Sequence, residues 1–203
     1  MFTIATTSEV CQSLTPELLK VLSKEAPLLR ATVINLASDY SIRELETGKV
    51  DLVISVNWHA PDQLMQKRLF EDHFVCLMSN HHPLADQVLD IEAYVNTAHL
   101  MVAPLGKQRG FIDDHLMPLG FKRNVRLSVP DFSQLEPHLL DGEHIVTLPL
   151  RIAENLKAKK NLTIKPLPFE VPGFSYYVFW HKRFTHEQSN QWMRQVVQNI
   201  LGG

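Results

Sequence analysis

Apolar residues along the chain alternate between short unbroken runs and helical spacing. Phe2 to Ala5 reads as a first strand, and Val10, Leu14, Leu18, Val21 and Leu22 then fall on one face of a helix. Thr6 with Glu9 three positions on has capping-box spacing; Thr15 before Pro16 offers a second N-cap that would divide the helix. Ala31 to Leu36 is a β-branched strand, Ser41-Ile42-Arg43-Glu44 opens a short helix ended by Gly48, and Asp51 to Val56 is an apolar strand. Apolar strands alternating with amphipathic helices predict a parallel sheet covered on both faces.

After Pro61 the rhythm changes. Arg68 to Glu71 and His73 to Ser79 are extended segments almost in tandem, broken by the turn-prone His81-His82-Pro83-Leu84, as expected of a crossing into a second lobe. There, strands are predicted near His99 to Ala103, Asn124 to Val129 and Ile145 to Leu148, with helices near Gln108 to Leu119, Phe132 to Leu140 and Leu150 to Lys159. Leu162 to Leu167 and Tyr176 to His181 are extended again. The last helix carries Trp192, Val196 and Ile200 beside Met193, Val197 and Leu201, with Thr185 and Gln188 as its caps. The fold class is α/β: two Rossmann-like lobes joined by two extended crossover strands, hinged, with the natural binding site in the cleft.

Composition narrows the function classes. With 203 residues, 45% of them hydrophobic, the chain can bury an ordinary core. A formal charge of −2 argues against this piece gripping nucleic acid, which requires a basic face. The basic run Lys157, Lys159 and Lys160 reads as a solvated helix end. Cys11 and Cys76 have neither CxxC nor metal-ligand spacing, so no disulfide scaffold or zinc site is expected and a reducing cytoplasm fits best. No export leader or membrane-spanning apolar run is visible, and the abrupt start in a strand-like run suggests a piece of a longer chain.

Three strings carry a resemblance: Glu-Leu-Glu-Thr-Gly-Lys-Val-Asp-Leu-Val-Ile from Glu44 to Ile54, Leu-Phe-Glu-Asp-His-Phe-Val-Cys-Leu from Leu69 to Leu77, and His82-Pro83-Leu84-Ala85. The turns Val129-Pro130-Asp131-Phe132 and Thr147-Leu148-Pro149 follow in order. Over nearly its whole length the chain resembles the effector-binding domain of LysR-type transcription regulators, which has the type 2 periplasmic-binding-protein fold. The resemblance implies one lobe from about 1–74 plus 175–203 and a second from 75–174. It implies a small-molecule effector and an antiparallel homodimer, with about 16–36 of one subunit facing about 108–128 of the other, tetrameric when full length. DNA contact in that family belongs to an N-terminal winged helix-turn-helix, which these residues do not contain. No cofactor and no membrane partner are implied. Ser55-Val56-Asn57-Trp58 departs from the family, which often has glycine there.

In an open α/β lobe, ligands sit beyond the carboxyl ends of strands, at helix N-termini. Thr6, Thr7 and Ser8 occupy that place after the first strand, where they also suit helix capping. Ser38 and Asp39 follow the second strand; Asn57 and Trp58 follow the third. From the second lobe the resemblance points to Pro130, Phe132 and Thr147. No metal site is expected: His186-Glu187 does not extend to HExxH, and His81-His82 are adjacent rather than on one helical face. Asp113, Asp114 and His115 could suggest acid-base chemistry but read as the solvent face of a helix. No nucleophile elbow, P-loop or dinucleotide fingerprint is present, so no catalytic apparatus is visible. The alternatives are a transport-type solute receptor or an enzyme on the same bilobal fold.

Overall fold

The computed structural model describes all residues except 37–40, 57–60, 104–105, 107–108, 159–160 and 203. The strands and helices in chain order are β1 (Phe2–Thr6), α1 (Ser8–Glu25), β2 (Ala31–Asn35), α2 (Ser41–Thr47), β3 (Leu52–Val56), β4 (Leu64–Asp72) and β5 (Phe74–Ser79). They continue with α3 (Ile91–Asn96), β6 (Ala98–Val102), α4 (Phe111–Leu116), β7 (Asn124–Val129), α5 (Glu136–Leu139) and β8 (His144–Pro149). Then come α6 (Leu150–Lys157), β9 (Leu162–Pro166), β10 (Phe174–His181) and α7 (Gln188–Leu201). Two compact units result: 1–71 with 174–203, and 72–173.

The first unit's sheet has the order β2-β1-β3-β10-β4, and β1 runs parallel to both neighbours, with Ile4 opposite Val33 and Leu52. The second unit's sheet has the order β7-β6-β8-β5-β9, with β6 parallel to β7 and β8. The all-parallel expectation is corrected: β10 runs antiparallel to β3, and β5 antiparallel to β8 and β9. These antiparallel strands lie where the chain enters and leaves each unit, and they need no helical crossover.

Each sheet is covered on both faces. In the first unit Leu14 and Leu18 of α1 and Met193 and Val197 of α7 pack on Ile4, Ile54 and Val178, while Leu45 of α2 covers Val53 and Phe179. In the second, Leu135, Leu139 and Ala153 lie on Leu77, Val146 and Leu148, and Tyr94, Ile112 and Leu116 cover Cys76, Met78 and Ile145. Gly48 ends α2 with φ 76°, and a Cβ there would come within 2.9 Å of Arg183 Nη2.

Several local expectations are corrected. Helix α1 is not divided: Pro16 lies inside it, and the Thr15 hydroxyl donates to the Cys11 carbonyl at 2.9 Å instead of capping. Pro16 and Gln12, whose carbonyl loses its helical donor, are both exposed, while Leu14 and Leu18 stay packed in the core. Helix α7 is capped by Glu187, which accepts from Ser189 and Asn190 N–H groups, whereas the Thr185 hydroxyl accepts from Trp180 Nε1 at 3.1 Å. Helix α3, capped by Asp90 Oδ1 on Ala93 N–H at 2.7 Å, was not expected from the pattern.

Candidate functional site

Strand β1 delivers Thr6, Thr7 and Ser8 to the start of α1, but they do different things. Thr6 is still in the sheet, opposite Ile54 on β3; it is 1% exposed and its hydroxyl donates to the Ile54 carbonyl at 3.0 Å. The capping box expected of Thr6 and Glu9 is therefore corrected. Glu9 instead accepts the Tyr176 hydroxyl at 2.8 Å.

Thr7 is the N-cap residue, with extended backbone (φ −76°, ψ 158°), yet its hydroxyl makes no capping bond. Thr7 Oγ1 is buried and has no hydrogen-bond partner among the described residues. Ser8 begins the helix, and helical geometry leaves its N–H and those of Glu9 and Val10 without intrahelical acceptors. The end of an 18-residue helix thus presents uncapped donors, one unused hydroxyl and the positive pole of the helix dipole. Ser38, Asp39, Asn57 and Trp58 lie outside the described residues.

In the second unit Pro130 is exposed directly after β7. Asp131 Oδ1 accepts from the Ser133 N–H at 2.8 Å and its hydroxyl at 2.6 Å, fixing the turn that holds Phe132. Phe132 is partly buried against the cluster of Leu135, Leu139 and Val146. Thr147, on β8, is half-buried, and its hydroxyl lies 2.6 Å from that of Tyr94 on α3.

Beside Thr147 is a buried polar cluster that sequence reasoning missed. Arg123 reaches Asp113 with Nε at 2.7 Å and Nη2 at 2.9 Å and contacts Met101 Sδ at 3.6 Å. Asp113 is thus not on the solvent face, correcting the expectation: it also accepts the Gly110 N–H at 2.8 Å, while its neighbour Asp114 pairs with Arg109 outside. Burial alone would raise the Asp113 carboxyl, but bonds from Arg123 and Gly110 outweigh it and hold it below the usual carboxylate range. His99 is fully buried, its ring edge-on to Tyr94 at 4.5 Å. Its Nε2 lies 2.7 Å from the Tyr94 carbonyl, which can only accept, so Nε2 carries the proton; Nδ1 has no partner among the described residues. Burial lowers the His99 pKa to about 4 and pushes the Tyr94 phenol and the Cys76 thiol each up to about 12.

Among the described residues, no three His, Cys, Asp or Glu side chains are grouped to hold a metal, and no helix is long and apolar enough to cross a membrane.

The sequence matches the LysR substrate binding domain over residues 1–201. It is 28% identical over 186 residues to the HTH-type transcriptional activator NahR of Pseudomonas putida, covering 92% of this chain and 62% of that protein. The chain spans about three fifths of the length of such curated relatives, which are transcription regulators rather than enzymes. The regulatory domain of MexT, a transcriptional activator in Pseudomonas aeruginosa, superposes with a TM-score of 0.83 at 27% identity, over 98% of this chain and 96% of that one. A transcriptional regulator from Vibrio parahaemolyticus gives 0.85 at 28%, over 98% and 92%. Sequence and fold agree: the chain belongs to the LysR substrate-binding domain family, the effector-sensing module with the type 2 periplasmic-binding-protein-like fold.

Proposed function

We propose that this chain is the sensor of a cytoplasmic, DNA-binding transcription regulator, and that the start of α1 is its anchor for a small carboxylate-bearing effector. The observation that carries the reading is the Thr7 hydroxyl, buried without a partner among the described residues at the N-terminus of a long helix. A carboxylate there would accept from that hydroxyl and from the first-turn N–H groups, with the helix dipole favouring its charge. Ser8 opens the same helix, and in the second unit the family resemblance assigns Pro130, Phe132 and Thr147 to ligand, with Phe132 supplying an aromatic surface. Thr6, with its hydroxyl spent on Ile54, supports the sheet beneath.

Effector binding acts by favouring one of at least two arrangements, since a ligand shifts an equilibrium only by its differential affinity. The output runs through a homodimer, tetrameric when full length, to a DNA-binding domain outside these residues. Exposed apolar side chains support a dimer face: Leu19 and Leu28 near the first segment, Met117, Leu119 and Leu127 in the second.

Thermal-shift titration with benzoate and with its uncharged amide, benzamide, tests the anchor. Benzoate is expected to raise the melting temperature more than benzamide, and Thr7→Val to abolish that difference. Because the Thr7 hydroxyl makes no hydrogen bond among the described residues, the unliganded melting temperature should barely move. An undiminished benzoate shift in the variant would refute the placement.

A further inference from the structure

The second unit holds an open cavity of about 830 Å³, within the size range of small-molecule sites, and every residue lining it belongs to that unit. Phe74, Phe169 and Val171 are among its apolar walls. The segment 166–172 carries three prolines, each of which fixes its φ and offers no N–H, and Phe169 and Val171 are held against the cluster of Tyr94, Ile112 and Leu116. That wall is stiff before any guest arrives. Next to it Phe111, 49% exposed, packs its ring on Phe74 at 5.5 Å and on His115 at 4.4 Å. Met117, Leu119 and Leu127 of the proposed dimer face do not line the cavity.

The polar groups lining it are few, and the best placed of them accepts. His115, half-buried on α4, has Nδ1 2.9 Å from the Phe111 carbonyl, which can only accept, so in the neutral ring Nδ1 carries the proton and Nε2 is a bare lone pair. Nε2 makes no hydrogen bond among the described residues. The exposed Glu170 carboxylate also only accepts, and it opposes an anionic guest. His73 is exposed, where water competes for its ring. We propose that this cavity is a second ligand site, built from other residues than the carboxylate anchor at α1, for a neutral aromatic compound bearing a hydroxyl. The phenolic O–H donates to His115 Nε2, and the ring lies among Phe74, Phe111 and Phe169. A carboxylate there would set lone pairs against Nε2 with no proton between them, and an ammonium would give up far more hydration than a hydroxyl on entering an apolar wall.

Calorimetric titration at about pH 8, where an ordinary imidazole is neutral, compares naphthol with its methyl ether, which has the same rings but no proton to donate. The wild type should bind naphthol about tenfold more tightly, the size of one well-made hydrogen bond. His115→Phe keeps a ring beside Phe111 and should bring the two compounds to parity without loosening the ether. Thr7→Val, which disables the anchor, should leave the preference as it is. In nitrogen NMR of the wild type, the His115 Nε2 resonance should move markedly with naphthol and far less with the ether, a readout that needs no variant to fold. A preference that survives H115F or disappears in T7V overturns the inference, as does a wild type that binds neither compound or an Nε2 resonance that responds to both alike. Tighter binding of naphthylmethylamine that Glu170→Gln removes would mark a cation site and overturn the phenol assignment. The benzoate titration that tests the anchor is independent of all these outcomes, so the two readings fail separately.

Discussion

Acid should weaken the second unit through His99, and the size of the effect can be worked out. The imidazole is fully buried, edge-on to Tyr94, and burial holds its pKa at about 4 rather than the ordinary 6.5. The folded protein therefore keeps His99 neutral where the unfolded chain already binds a proton. The stability this provides is complete above pH 6.5 and is lost as pH falls from 6.5 towards 4, at about 1.4 kcal/mol per pH unit. Across that window the loss is about 3 kcal/mol, against a total stability of about 5–15 kcal/mol for a typical domain. In melting temperature it amounts to roughly 6–12 °C. Burial, then repulsion from His144, lowers the His82 pKa as well, so the whole protein should show a steeper dependence than His99 alone produces. The His99 share is isolated by His99→Gln, whose side-chain amide can still donate to the Tyr94 carbonyl but does not titrate. Urea unfolding at intervals between pH 7 and pH 4.5 should give a slope of stability against pH about 1.4 kcal/mol per unit shallower in the variant. Equal slopes in the two proteins would refute the assignment of His99 as a buried neutral base.

Two further outcomes follow from the same geometry and from the dimer proposal. Asp113→Asn removes the partner of an Arg123 side chain only 3% exposed, which should cost about 3–5 kcal/mol in urea unfolding. The double variant D113N/R123M should recover part of that loss, and a single variant as stable as the parent would show that the pair is not desolvated. Sedimentation velocity should show a monomer–dimer equilibrium that Leu28→Glu shifts towards monomer, because Leu28 is 96% exposed and adds no core to lose; a monomer at every concentration would remove the dimer proposal.

The element pattern was legible because it is local. Apolar spacing at Val10, Leu14 and Leu18 places α1, and the run Leu52 to Val56 is a strand whatever its neighbours do. The polar cluster was not legible, because Tyr94, His99, Asp113, Arg123 and Thr147 come from separate elements and each alone reads as ordinary. Asp113 and Asp114 illustrate the difficulty: adjacent helical positions point about 100° apart, so one carboxylate turns in to Arg123 and the other out to Arg109. Helix α3 hid for a related reason, being only six residues long behind a turn-rich stretch, too short for periodicity to register.

The candidate anchor turns on where β1 stops. Capping-box spacing marked Thr6 and Glu9, and the helix does start there, but the pairing of β1 with β3 continues one residue further, to Thr6 opposite Ile54. That extra ladder position turns the Thr6 side chain into the sheet and passes the N-cap to Thr7. Glu9, which would have closed the box, is claimed by Tyr176 on β10, far away in sequence. A one-residue difference in where β1 stops therefore decides which threonine ties the sheet together and which is left with an unused hydroxyl at the head of the helix.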